Sequence, residues 1–238
     1  MKLRYPFAAA VLGLVIWAAW PDAAPTPATS TAPSVIPDNG RDVIILPNPL
    51  HPAASDAQTQ AARASPPLVA AARSQIGTTL HYDPAYTEIA YPNGDVPLIK
   101  GVCTDVVIRA LRHLGMDLQA LIHEDMRVAF GAYPPLWGLS QADANIDHRR
   151  VPNIRRYFER QHYQIENGTF QAGDIITWDL GQGLVHIGIA SDRHNAKGEP
   201  LIIHNIGRGT QEEDILHRYA ITGHYRIPAT AFPSPQLA

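Results

Sequence analysis

The chain has 238 residues, a formal net charge of −3 and a sequence pI near 6.4, a balance with no basic surplus to attract nucleic acid. Its single cysteine excludes an intrachain disulfide. No internal repeat or block of like charge suggests a solenoid or an interaction tail.

Residues 1–24 begin with Lys2 and Arg4 and continue as an uncharged apolar run from Phe7 to Trp20, the layout of an export signal or an uncleaved N-terminal anchor. The run is short for a membrane span, which needs about 20 residues. Either reading places the rest of the chain in the periplasm or cell envelope, and the anchor reading adds attachment to the inner membrane. Residues 25–67 are rich in Pro, Ala and Thr and read as a linker, with "DVIIL" at Asp42–Leu46 as a stray strand or docking segment. From Leu68 to Phe232 the composition is that of one globular domain.

Within the domain, "PPLVAAARSQIG" predicts a first helix with Leu68, Val69, Ala72 and Ile76 on one face and Gly77 as its stop. "TTLHYDPAY" and "YPNGDVP" read as irregular chain. "CTDVVIRALRHLG" predicts the clearest helix, with Val106, Val107, Ala110, Leu111 and Leu114 at helical spacing and Gly115 as terminator. Further helical pieces are expected at "LQALIHEDMRVAF" and "VPNIRRYFERQ". After Gly173 the period becomes that of strands: "DIITWDL", "LVHIGIASD", "PLIIHNIG" and "AITGHYRI". Helices first and an antiparallel sheet afterwards is an α+β pattern.

Cys103 has three readings: an inert buried thiol, an intermolecular bridge, or a nucleophile. It sits where irregular chain becomes helix, and the unsatisfied N–H groups there favour a thiolate, an effect that Asp105 partly opposes. A nucleophile also needs a base and a group that orients it. His186 and His204 each lie nine residues from Asn195, so a hairpin centred there would oppose them directly on one face, with Val185, Ile187 and Ile189 turned to the core. Asn205 is the rival for the orienting role, although alternation turns it the other way.

These residues carry a resemblance. "ARSQIGTTLHY", the cysteine opening a helix, "AGDIITW" and "VHIGIA" resemble the NlpC-type papain-like cysteine peptidases, which are cell-wall hydrolases. More closely, Ala71 to Tyr225 looks like the bacterial family called domain of unknown function 1287. The NlpC resemblance implies a papain-like fold, Cys103 as nucleophile, His186 as base, His204 as its orienting partner and Tyr82 lining the site, with no cofactor. It also implies peptidoglycan or a peptide as substrate, cleaved as an endopeptidase or an N-acetylmuramoyl-L-alanine amidase. The chain departs from the usual Asp-Cys-Ser-Gly by having "VCTD", which puts specificity in doubt. An acyltransferase on the same triad, or a wall-binding protein without turnover, are the alternatives.

Arg149, Arg150 and Arg208 are candidates to clamp a substrate carboxylate, since guanidinium binds carboxylates as a fork. Trp137 and Trp178 are candidate groove rings or core rings. "HEDM" and "NIDHRR" lack the spacing of a zinc motif, and no metal site is expected.

Overall fold

In the computed structural model the described residues are 65–233. The expected leader, the linker up to residue 64 and the "DVIIL" segment lie outside them. Among the described residues no helix is long and apolar enough to cross a membrane.

Pro67 occupies the first turn of helix α1 (Pro67–Arg73), where its missing N–H has no intrahelical acceptor to lose. Leu68, Val69, Ala71 and Ala72 are buried, but Ile76 lies beyond the helix end and is exposed, contrary to its expected place on the core face. The helix ends at Arg73 with Ser74 as its cap, four residues before the expected stop, and Gly77 at φ 78° lies in the turn that follows. Two short strands, β1 (His81–Tyr82) and β2 (Lys100–Gly101), pair in parallel within the segment expected to be irregular.

Helix α2 (Cys103–His113) follows directly, and Cys103 to Leu111 are all buried. The apolar side packs in the core, and the polar side is also covered: Arg109 binds Asp95 and Thr79, and Asp105 binds Arg149. Helix α3 (Leu118–Ala129) is capped by Asp117, whose carboxylate accepts from the Gln119 N–H. Helix α4 (Val151–Arg160) again has Pro in its first turn.

The strands β3 (Ile175–Gly181), β4 (Leu184–His194), β5 (Pro200–His204), β6 (Gln211–Glu213) and β7 (Ala220–Tyr225) form one antiparallel sheet in the order β6-β5-β4-β3-β7. The α+β architecture, with helices ahead of an antiparallel sheet, is therefore present. Alternation divides the sheet into two faces. Ile175, Ile187, Ile189, Ile203 and Tyr225 pack against α1, α2 and α4 in the larger core. Ile176, Trp178, Ala190 and Ile202 form a second core beneath Ile215 and Leu216. Arg73 at the end of α1 clamps the helix to the sheet through Ser191, Asp192 and Glu212.

β6 was not foreseen. Its residues Gln-Glu-Glu carry no apolar alternation, yet Glu213, Glu212 and Gln211 pair with Ile202, Ile203 and His204.

Candidate active site

Cys103 is the first residue of α2, as the sequence pattern predicts, and only 5% of it is exposed. Val102 precedes it with no side-chain acceptor, so Asp105 supplies the cap alone: its carboxylate accepts from the Val102 N–H at 2.7 Å. The sulfur faces the backbone N–H groups of Ile187, Thr104 and Cys103 itself. β4 extends beyond its ladder with β5, whose innermost pair is Ile189 with Ile203, and the helix start meets β4 in that overhang. The residue next to the sulfur's strand contact is His186.

His186 and His204 share a sheet face, but they are not directly opposed. Ile189 pairs with Ile203 and Ala190 with Ile202, which places Gly188 across from His204 and shifts the expected register by two residues. An even shift preserves the face and makes the histidines diagonal neighbours. Gly188 makes this possible: a Cβ there would lie 2.7 Å from Ile202 Cγ2 and 3.1 Å from His204 Cβ. His186 Nε2 lies 2.9 Å from His204 Nδ1, with the rings nearly perpendicular. Trp178, directly across β3 from His186, covers the pair with its ring centroid 5.8 Å from the His186 ring. Trp178 thus belongs to the core, and its Nε1 donates to the Leu216 carbonyl.

His204 is fully buried, and its Nε2 lies 3.1 Å from Glu213 Oε2, off the line of a well-formed hydrogen bond and with no other partner among the described residues. Glu213, which the sequence reading did not include, also pairs with Arg208. The His204 contact, followed by Arg208, holds the Glu213 carboxyl down to about 2 despite partial burial.

The helix start does not produce a resting thiolate. Burial pushes the Cys103 thiol up to about 12, with Asp105 adding to the rise and the three N–H groups opposing it. Burial pushes His186 down to about 3, aided by repulsion from His204. The two groups are neutral together at pH 7, which corrects the expectation drawn from the helix dipole. Tyr82 in β1 brings its hydroxyl to the thiol, and burial followed by Cys103 and Asp105 raises its pKa.

The remaining candidates are placed differently from expectation. Arg149 borders the cleft, and its Nε and Nη2 bind Asp105 at 3.0 and 2.9 Å in a buried fork that braces the helix start. Arg208 is held by Glu213 and is not among the residues around the thiol. Asn205 donates to the Gly101 carbonyl and accepts from the Gly207 N–H, which ties the end of β5 to the segment before Cys103, and the residue in contact with His186 Nε2 is His204. Val185 is exposed at the cleft, not turned into the core.

A cleft of about 610 Å3 opens onto Cys103. Tyr82, Leu136, Trp137, Leu184 and Val185 give it apolar walls, and Arg150, stacked 4.0 Å over Trp137 and paired with Asp147, supplies a cation at one side.

No solved structure matches the chain. The "Uncharacterized protein YijF" of Escherichia coli (strain K12) is 54% identical over 159 residues, covering 65% of this chain and 78% of that protein. The model of the family described as "Domain of unknown function (DUF1287)" matches residues 69–227, from the first buried residues of α1 to just past β7, and the chain belongs to that family.

Proposed function

We propose that the protein is an exported cysteine hydrolase of papain-like, NlpC-type architecture that cleaves an amide bond in peptidoglycan stem peptides, as an endopeptidase or an N-acetylmuramoyl-L-alanine amidase. One observation carries the reading: a lone thiol opens a buried helix against the backbone of Ile187 in β4, the residue that follows His186, and His186 Nε2 lies 2.9 Å from His204 Nδ1. With Nε2 taken, Nδ1 is the ring nitrogen left to exchange a proton with the thiol. The cell-wall substrate rests on the resemblance and on the export-like leader.

Because thiol and imidazole rest neutral, proton transfer accompanies attack. As Cys103 Sγ bonds to the carbonyl carbon, its proton passes to His186 Nδ1 and the carbonyl electrons move to oxygen. The N–H groups at the helix start then face the oxyanion. The oxyanion collapses, the C–N bond breaks, and His186 gives its proton to the departing amine, leaving a thioester on Cys103. Water, deprotonated by His186, attacks the thioester and releases the acid with the thiol restored. Burial that keeps Cys103 neutral also protects it from adventitious oxidation until a substrate fills the cleft.

The test is digestion of purified peptidoglycan by wild type beside Cys103→Ala, with products identified by mass spectrometry. New fragments from wild type alone, with the variant at least about 10³-fold slower, establish the hydrolase and name the bond. Release of the same fragments by both proteins would sink it.

The apolar walls favour a second reading, in which the thioester passes to an amine or hydroxyl instead of water. A stable acyl adduct on Cys103 that clears only when such an acceptor is added would select it.

A further inference from the structure

The geometry points to Glu213 as a positioning residue that sets the tautomers of both histidines and leaves His186 Nδ1 unprotonated, the state that a base for the thiol requires. The inference deepens the hydrolase reading and rests on it for its catalytic consequence. Its structural content stands on His204, Glu213 and Arg208.

The chain of contacts runs from Glu213 Oε2 to His204 Nε2 at 3.1 Å, then from His204 Nδ1 to His186 Nε2 at 2.9 Å. Each neutral imidazole has one N–H and one bare nitrogen. An ionised carboxylate accepts only, so a bare His204 Nε2 facing it would set two lone pairs against each other in a buried site. Glu213 therefore places the His204 proton on Nε2. His204 Nδ1 is then bare, and the 2.9 Å contact closes only when His186 Nε2 carries the hydrogen. His186 Nδ1 is left bare, which is the state a general base needs. Reversing the first choice reverses the last: with its proton on Nδ1, His204 donates to a bare His186 Nε2, and His186 Nδ1 is blocked by its own hydrogen.

The groups around the pair leave Glu213 in control. From β3 the neighbour is Trp178, which brings no charge and whose Nε1 is occupied by Leu216. From β6, Glu213 faces His204, and Arg208 from the preceding turn secures the carboxylate's other oxygen. When His186 becomes an imidazolium during turnover, the same carboxylate lies one imidazole away and stabilises the charge. Cys103→Ala would leave this arrangement intact, since the thiol is not part of it.

Long-range 1H–15N correlation of the full chain labelled with 15N-histidine reads the tautomers directly. In wild type at pH 7, His204 and His186 are both expected to be protonated at Nε2. In Glu213→Gln, which keeps the shape but removes the charge, a mixture of tautomers is expected, with kcat/KM down about ten-fold or more and an altered acid limb of the pH profile. Glu213→Asp should recover part of the rate, whereas a purely structural role would leave the tautomers unmoved. Wild-type His204 protonated at Nδ1, or identical tautomers in Glu213→Gln, would overturn the inference even if hydrolysis depends on Cys103. Expected tautomers without any Cys103-dependent cleavage would leave the relay standing and remove the hydrolase reading.

Discussion

The two sides of the candidate site handle burial in opposite ways. On the helix side, Asp105 and Arg149 are both buried and form a two-pronged ion pair, with Asp105 also holding the Val102 N–H. On the strand side, among the described residues, His186 has another imidazole as its hydrogen-bonding partner, and the thiol at the start of α2 has backbone N–H groups and a tyrosine. Where an opposite charge is within reach the interior keeps ions, and where none is, burial leaves the groups neutral. The permanent charges therefore brace the site, and the groups proposed to react are those without a counter-ion, free to exchange a proton.

The comparison breaks most sharply if the brace can be removed without consequence. Asp105→Ala leaves Arg149 buried without its partner and frees the Val102 N–H, and it is expected to cost about 3–5 kcal/mol in urea unfolding. Arg149→Met should cost a similar amount. Replacing both, with Asp105→Leu and Arg149→Met, should cost less than the sum of the singles because no lone charge remains. Additive losses would mean that the two residues do not act as a pair.

The strand side sharpens the comparison through pH. With His186 at about 3 in the folded chain and near 6.5 when unfolded, the unfolded state binds the extra proton between those values. Stability is then flat above pH 6.5 and falls as pH drops toward 3, by a few kcal/mol for this residue. His148, lowered to about 4 by burial, and Glu213, held near 2 chiefly by His204, act in the same direction. Melts between pH 7.5 and 3.5 check the slope, and His186→Gln should flatten part of it; equal stability at pH 6.5 and 4 would refute it. The thiol gives a parallel readout. Free Cys103 should react with iodoacetamide at pH 6 more slowly than an ordinary thiol of pKa about 8.5.

Much of this was legible in the sequence, and each failure has a physical cause. Cys103 at a helix start followed from the change of pattern at Gly101, and the shared face of His186 and His204 followed from parity. Their direct opposition did not, because the turn centres on Lys197, with His194 paired to Pro200, and the irregularity between Ala190 and His194 recovers only two of the four residues of difference from a turn at Asn195. Glu213 was hidden because three polar residues give no strand signal. The Arg149 partner lies 44 residues away, beyond any local pattern. The thiol's protonation was misjudged because the dipole of α2 is visible in a sequence, whereas burial of its polar side under Asp95, Thr79 and Arg149 is not.

Gly188 is the finest control point on the strand side. It lies between His186 and the pairing of β4 with β5, and its missing side chain lets His204 reach across to His186 Nε2. Gly188→Ala would place a methyl 2.7 Å from Ile202 Cγ2, 3.1 Å from His204 Cβ and 3.1 Å from the Ile203 carbonyl oxygen, and one of these must shift. Overpacking of this kind costs about 1–3 kcal/mol. If β5 retreats as a unit, the 2.9 Å contact lengthens, His186 loses its orientation, and activity should fall further than the modest drop in melting temperature suggests. Among the described residues the Asp105–Arg149 pair has no contact with β5 and would be untouched. A variant that is destabilised but fully active would show that orientation of His186 does not depend on His204, while loss of activity with a nearly unchanged melting temperature would locate the requirement in the spacing of two imidazoles.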